Sequence, residues 1–241
     1  MIAAVADVHS PRYIDLFRHA IKSTPWDSVE ILMFIGDMIN KGKVYEYSRV
    51  LDSLKKYYEG NIIGVMGNEE YEQYEDDIVS RFDRITWLRD ESMIINISNY
   101  KVGIVGTRGV LDRPTLWQRK NIPDIVSKYN SRLKRLENIL KNLKRKVQLL
   151  IMLSHYSVTF KTLEGERKSI WKELGSTKME SLLVKYNVDL AFHGHAHNSK
   201  IHRVRLKSGA LVINTSLPAT RSITLVDLEK DIVKRGILGF I

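Results

Sequence analysis

The stretch ILMFIGD, residues 31–37, runs from five consecutive apolar residues into a glycine and an aspartate. Four other segments share this plan, an apolar run that ends on a carboxylate, amide or imidazole: IAAVADVH (2–9), IIGVMGN (62–68), LLIMLSH (149–155) and VDLAFHGHAH (188–197). Apolar runs of this length, bounded by turn residues, predict buried strands of an α/β fold. Because open α/β sheets place their sites beyond the carboxyl ends of the strands, we expect these polar residues to meet at one edge.

The composition limits the class of protein. The chain has 241 residues, of which 44% are hydrophobic, and it contains no cysteine. This length and composition predict a single domain over 1–241, and the lack of cysteine excludes thiolate metal sites and disulfides. The lack of cysteine is compatible with the cytosol, and we expect a cytoplasmic protein. No apolar run approaches the roughly 18 residues of a membrane span, so we expect no membrane association.

Helices and strands are predicted from the spacing of apolar residues. The predicted helices cover 11–21, 43–58, 69–81, 122–146 and 177–186. Beyond the five opening strands, we predict strands over 92–97, 101–105, 200–206, 210–214, 222–227 and 231–237, the last two forming a hairpin.

Positive charge is concentrated in residues 112–146, which contain 11 Lys/Arg and 3 Asp/Glu in a chain of net charge +10. One interpretation is a basic helical insertion that attracts phosphorylated substrates or nucleic acid, with Trp117 and Tyr129 stacking on bases. The other is a solvated helix whose apolar stripe packs on the sheet or on a second copy of the chain, forming a homodimer.

Seven residues at the strand ends are candidate metal ligands: Asp7, His9, Asp37, Asn68, His155, His195 and His197. The pairs Asp7/His9 and His195/His197 are each two residues apart, so in extended backbone their members point the same way. Seven ligands are too many for one catalytic cation and suit two, with Asp37 able to bridge them. Oxygen and nitrogen ligands without sulfur favour Mn, Fe, Zn or Ni over Mg or Ca, and we expect Mn.

These motifs resemble the signature of the calcineurin-like metallophosphoesterases. The matching segments are Asp7-Val8-His9, Gly36-Asp37, Gly67-Asn68-Glu69, His155 and Gly194-His195-Ala196-His197, in the family's order. The resemblance implies an α/β fold of four αββα layers, in which two mixed sheets are flanked by helices. It also implies two divalent metals, one held by Asp7, His9, Asp37 and His197 and the other by Asp37, Asn68, His155 and His195.

The same resemblance implies hydrolysis of phosphoesters, preferably diesters, by in-line attack of a metal-bridging hydroxide, with Asp37 and Asn68 as catalytic residues. The substrate would be a phosphorylated small molecule or a nucleotide, with Asn68 helping to orient its phosphate. The alternatives are a DNA or RNA nuclease with the same metal chemistry and a non-catalytic scaffold that binds partners. The scaffold is disfavoured because all seven ligand positions are filled.

Glu69 departs from the pattern, since many members have histidine at this position. It is either a general acid for the leaving group or a residue in the first turn of a helix, where its charge suits the helix dipole. Arg108, in a Gly-rich loop after a predicted strand, is either a substrate contact or a solvated arginine. His193 is expected to be a strand-end residue rather than a ligand, and no motif supports His19 or His202.

Overall fold

The computed structural model describes residues 1–233, in which eleven strands form two sheets. The strands are β1 (Ile2–Val5), β2 (Ile31–Ile35), β3 (Asn61–Val65), β4 (Ile85–Trp87), β5 (Glu91–Ile97), β6 (Tyr100–Thr107), β7 (Leu149–Ser154), β8 (Leu190–His193), β9 (Arg203–Arg205), β10 (Leu211–Asn214) and β11 (Thr224–Val226). The α-helices are α1 (Ile14–Lys22), α2 (Glu46–Leu54), α3 (Glu75–Arg81), α4 (Leu116–Asn121), α5 (Ile125–Leu143), α6 (Thr177–Lys185) and α7 (Leu217–Thr220).

Both sheets are mixed. The first has the order β11-β1-β2-β3-β4, in which only β11 is antiparallel to its neighbour. The second has the order β5-β6-β7-β8-β10-β9, with antiparallel pairs at its two edges and parallel pairs between them. Parallel strands place their carboxyl ends together, which is why donors from five strands can reach one site.

Three apolar layers explain why the central strands are apolar at almost every position. In β2, Leu32 and Phe34 pack towards α1 and α2, whereas Met33 and Ile35 pack between the two sheets. In the second sheet, β7 likewise alternates between the inter-sheet layer and the layer under α5 and α6. A strand buried on both faces needs apolar side chains in both directions. The result is the expected four-layer αββα sandwich of two mixed sheets flanked by helices.

The basic segment forms part of the outer layer of this sandwich. The stripe of α5 is buried against the second sheet through Tyr129, Leu136, Leu140 and neighbouring apolar residues. Tyr129 is only 5% exposed and therefore cannot stack on a base, contrary to one of the two interpretations. The structure shows the apolar stripe packed on the sheet, as the other interpretation expects. Attraction of phosphorylated substrates or nucleic acid by the basic residues, and stacking by Trp117, stay predictions. That the segment is an insertion stays a prediction.

The predicted helix over 69–81 begins later than expected. Residues 69–71 form a loop, Glu72–Tyr74 form a single 3₁₀ turn, and α3 starts at Glu75. The first-turn interpretation of Glu69 is therefore wrong, because no helix begins there. The predicted final hairpin is also wrong in residues 228–233, which form a π-helical segment (Leu228–Val233) instead of a strand, and 234–237 lie outside the described residues.

No helix in residues 1–233 is both long and apolar enough to cross a membrane. That the whole chain 1–241 forms one domain stays a prediction, which the apolar layer shared by the two sheets supports for the described part.

Candidate metal centre

Asp7, His9 and His197 form the first group of candidate ligands, with donor atoms within 4.8 Å of one another. Asp7 Oδ1 lies 3.3 Å from His197 Nε2 and 3.8 Å from His9 Nε2. The two imidazole nitrogens are 3.3 Å apart. The loop after β1 thus meets the loop after β8, although 188 positions separate His9 from His197.

Asp37, His155 and His195 form the second group, again with donor atoms within 4.8 Å of one another. Asp37 Oδ2 is 3.4 Å from His155 Nε2. Asn68 joins this group, since its Oδ1 is 3.0 Å from the same nitrogen. The structure therefore brings together all seven residues that the sequence singled out.

Asp37 lies between the two groups. Its Oδ2 is 3.7 Å from His9 Nε2 in the first group and 3.4 Å from His155 Nε2 in the second. Its Oδ1 accepts a hydrogen bond of 2.7 Å from the Glu69 backbone N–H, which fixes the carboxylate. One oxygen is thus held by the backbone and the other faces both groups, the arrangement that a shared ligand requires.

Four of the candidate ligands have an unusual backbone conformation. Asp7, His9, Asp37 and His195 have φ values of 59°, 43°, 52° and 67°, in the left-handed region that residues other than glycine seldom adopt. Such conformations cost about 1–3 kcal/mol each and persist where the surroundings impose them. Four of the ten non-glycine residues with positive φ in residues 1–233 are therefore candidate ligands at these strand ends, a distribution that agrees with a functional site.

Gly67 permits the close contact of two of these loops. A Cβ atom at this position would lie 2.2 Å from Asp37 Oδ1 and 2.5 Å from the Asp37 backbone nitrogen. Real Cβ atoms essentially never come within 3.0 Å of another atom in this way. Glycine is therefore required here for packing, in the motif that also supplies Asn68.

Glu70, which the sequence analysis did not single out, holds the loops after β2 and β3 together. Its fully buried carboxylate accepts five hydrogen bonds, four from the backbone N–H groups of Asp37, Met38, Ile39 and Gly67 and one from Tyr47 Oη. Burial and the neighbouring Asp37 carboxylate raise the pKa of Glu70 to about 7, while the five donors favour its ionised form. Glu70 thus positions Asp37 without facing the two ligand groups itself.

Burial and close opposite charges shift the pKa values of the carboxylates and histidines of the centre. Burial raises the pKa of the Asp7 and Asp37 carboxyls, but the surrounding histidines outweigh this and hold both below the usual range. Burial lowers the pKa of His155, but Asp37 and Asp7 outweigh it and raise the value to about 9. Desolvation and the neighbouring His155 lower the pKa of the half-buried His195 to about 3.

The residues fit a pair of divalent cations. Asp7 Oδ1 is buried and has no hydrogen-bond partner among the described residues, although it faces two imidazole nitrogens. His155 Nδ1 is 3.0 Å from the Ile35 carbonyl oxygen, which can only accept, so Nδ1 carries a proton and Nε2 is left for a metal. A buried carboxylate oxygen without a donor costs free energy that a bound cation would offset.

Metal binding is expected to release protons. Because the pKa of His155 is raised to about 9, its Nε2 is protonated at neutral pH and must lose that proton to bind a metal. Apparent affinity should therefore rise as the pH rises towards 9, by up to about ten-fold per pH unit for each proton displaced. Calorimetric titration with Mn²⁺ between pH 6.5 and 8 measures this slope. A His19→Ala variant, which removes an exposed histidine, should keep it, and an affinity that does not change with pH would refute the expectation.

The other candidate residues lie away from the ligand groups. His193 ends β8, and its Nε2 is 2.7 Å from Thr162 Oγ1, within a fully buried environment that lowers its pKa to about 4. His19 is exposed on α1, and His202 Nε2 lies 3.0 Å from the Ser199 carbonyl oxygen. His193 is thus the expected strand-end residue, and His19 and His202, which no motif supports, belong to neither ligand group.

Arg108 is engaged within the protein. Its guanidinium donates to the Glu70 carbonyl oxygen at 2.6 Å and to Glu75 Oε1 at 2.7 Å. It lines a cavity of about 330 Å³ that none of the seven candidate ligands lines. This geometry favours a structural role, in which Arg108 ties the loop after β6 to α3. A substrate contact by Arg108 stays a prediction.

Glu69 lies at the edge of the centre. Its backbone N–H binds Asp37, and its carboxylate accepts a hydrogen bond of 2.5 Å from the Lys41 backbone N–H. It also lines a second cavity, of about 390 Å³, together with Asn68 and His195. This cavity is therefore the space in which a substrate next to the ligand groups would lie.

Comparison with known proteins agrees with this geometry. The protein is similar in structure to a phosphopantetheinyl hydrolase from Mycobacterium tuberculosis, with a TM-score of 0.71, 16% identity, and coverage of 94% of this chain and 96% of that one. It is also similar to a dimetal phosphatase from Danio rerio, with a TM-score of 0.59, 14% identity, and coverage of 88% and 86%. At these identities the likeness shows the fold. No match was found among curated proteins.

The sequence itself provides the assignment. The model of the calcineurin-like phosphoesterase family matches residues 1–199, a range that contains all seven candidate ligands. With that match, and with two groups of metal-binding side chains at the strand ends, the chain belongs to the calcineurin-like phosphoesterase family and is a metal-dependent phosphoric ester hydrolase.

Proposed function

We propose that this protein hydrolyses phosphodiesters at a dinuclear centre, with Mn²⁺ as the native cation and the cytoplasm as its location. The observation that carries the proposal is the position of Asp37 Oδ2, 3.7 Å from His9 Nε2 and 3.4 Å from His155 Nε2. A single carboxylate oxygen that faces both groups suits two cations better than one. Manganese agrees with a ligand set of oxygen and imidazole nitrogen without sulfur.

The residues of the chain would hold the cations and orient the phosphate of the substrate. When bound, two divalent cations supply Lewis acidity and lower the pKa of water. Asp7, His9, Asp37 and His197 would hold one of them, and Asp37, Asn68, His155 and His195 the other. The Asn68 side-chain amide is half-buried and lines the 390 Å³ cavity, so we expect it to donate a hydrogen bond to a phosphoryl oxygen. Water is expected to attack phosphorus in line with the leaving oxygen.

The preference for a diester is supported by the cavity beside the ligand groups. A diester carries a second organic group that needs space, and Leu111, Trp117 and Tyr156 give this cavity apolar walls. In addition, the histidine that many relatives have at position 69 is replaced by Glu69, whose carboxylate would repel the second negative charge of a monoester.

The test is an assay of Mn-loaded protein on bis(nitrophenyl) phosphate and nitrophenyl phosphate, with cyclic nucleotides and single-stranded DNA as further substrates. We expect kcat/KM for the diester to exceed that for the monoester. A preference for the monoester would contradict the proposal, and cleavage of DNA alone would favour the nuclease alternative.

Glu69→Gln tests the identity of the leaving-group acid. If Glu69 protonates the leaving oxygen, this variant should lower turnover more on a methyl or phenyl ester than on a nitrophenyl ester, because nitrophenolate leaves without a proton. Glutamine keeps an acceptor for the Lys41 N–H, so the loop contact is retained. If turnover falls equally on both esters, Glu69 is not the acid, and its role is limited to the contact with the Lys41 loop.

A further inference from the structure

Three aromatic side chains line the cavity of about 390 Å³ next to the ligand groups, although hydrolysis at the metals does not itself require them. The cavity is lined by Tyr71, Trp117 and Tyr156, and it adjoins the centre through Asn68 and His195. A volume of this size falls within the range of small-molecule sites, which are largely apolar with a few polar groups. An ester group of a substrate bound at the centre would enter it directly.

Trp117 is the most exposed of these three aromatic residues. Its side chain is 63% exposed on α4, and within residues 1–233 its indole makes no contact with another aromatic ring or with a cationic group. Tyr71 is 37% exposed. Large exposed aromatic side chains at the edge of a site commonly mark a binding surface.

The helix that carries Trp117 is held in a fixed position. Thr115 and Gln118 form a capping box at the start of α4. The Gln118 side chain also donates to Tyr156 Oη at 3.1 Å and accepts from Tyr129 Oη at 3.1 Å. Gln118 is buried, and its two hydrogen bonds anchor α4 to α5 and to the loop after β7.

The same contacts connect α4 to the metal centre. The Tyr156 ring packs edge-on against the candidate ligand His195, with ring centroids 5.0 Å apart. A chain of two contacts, Gln118 to Tyr156 and Tyr156 to His195, therefore connects α4 to the metal centre. These contacts fix the position of the helix that carries Trp117.

We propose that this cavity binds a nucleobase, and hence that the substrate is a phosphodiester of the nucleotide class, with its phosphate at the metal centre. The proposal rests on the function proposed above. Flat aromatic rings bind a base by stacking, whereas an alkyl chain gains nothing from their planarity. Arg119 and Lys120, exposed on the same helix, add positive charge that suits a phosphorylated ligand.

The test compares adenosine monophosphate with ribose 5-phosphate, two ligands that differ only in the base. Each is used to inhibit hydrolysis of bis(nitrophenyl) phosphate by the Mn-loaded protein, and calorimetry measures binding directly. We expect adenosine monophosphate to bind roughly ten-fold more tightly, or more, as stacking on one base predicts. If chromatography shows that the protein cleaves adenosine monophosphate, the KM for this ligand is compared in place of its inhibition constant.

Variants assign this difference to the cavity. Trp117→Ala should remove most of the advantage of adenosine monophosphate, and Trp117→Phe should retain most of it. Leu116→Ala is the matched control, because Leu116 is 58% exposed on the same helix but does not line the cavity. Thermal unfolding of each variant reports on folding.

Three results would overturn the proposal: equal binding of the two ligands, an advantage that survives Trp117→Ala, or hexyl phosphate binding as tightly as adenosine monophosphate. The last would indicate an apolar chain as the occupant. If bis(nitrophenyl) phosphate is hydrolysed and these tests fail, only the base-binding proposal falls. If binding depends on Trp117 and no diester is hydrolysed, base binding in the cavity stands, and the diester substrate falls together with the proposed function.

Discussion

Asp37→Asn is expected to lower the rate of bis(nitrophenyl) phosphate hydrolysis by at least about a thousand-fold, more than the roughly 10–100-fold typical of residues behind the ligands. The substitution is isosteric, but it replaces one carboxylate oxygen with an amide and removes the negative charge shared by the two groups. Asp37 Oδ2 is the atom that faces both His9 and His155, so its loss should affect both cations.

Asp15→Asn provides the matched control for this variant. Asp15 makes an exposed ion pair with Arg18, and its side chain is 91% exposed. We expect wild-type turnover and metal content from Asp15→Asn, and fewer than two ions per chain from Asp37→Asn. Full activity of Asp37→Asn with two ions bound would show that this carboxylate is not the shared ligand.

Glu70→Ala is expected to lower the free energy of unfolding of the metal-free protein by about 4 kcal/mol, because it leaves several buried donors without an acceptor at about 1–3 kcal/mol each. Four of these donors are backbone N–H groups of the loops that carry Asp37 and Asn68. The same variant should weaken metal binding, since Asp37 would no longer be held in place.

Glu46 offers a matched control for Glu70. It is also buried, at 2% exposure. Within residues 1–233, however, its carboxylate accepts one hydrogen bond, from Ser10 Oγ at 2.6 Å, and forms one ion pair, with the half-exposed Arg49. Urea unfolding of Glu46→Ala should show a smaller loss, about 1–2 kcal/mol. Equal losses for the two variants would mean that burial alone, and not the set of five donors, explains the effect.

The fold could be predicted where burial on both faces leaves a continuous apolar run. The strands that end at Asp37 and His155 are of this kind. β4 (Ile85–Trp87) was missed, because its three residues, one of them exposed, form too short an apolar run to be recognised. For α4 a signal did exist, the capping box of Thr115 and Gln118, but the helix spans only six residues.

The metal-binding residues could be predicted because each combines a suitable side chain with a strand end. Glu70 could not, because its role depends on N–H groups that the loops after β2 and β3 bring together in the folded protein, and no side-chain pattern encodes them. Arg108 shows the opposite case. A guanidinium after a strand satisfies the pattern for phosphate contact, yet Glu75 lies close enough to pair with it.

The most direct test of the dinuclear centre is titration of metal-free protein with Mn²⁺ while hydrolysis of bis(nitrophenyl) phosphate is followed. The two ligand groups and the shared Asp37 predict activity that rises with added metal and reaches its plateau at two ions per chain. A plateau at one ion, or two bound ions without hydrolysis, would contradict this account.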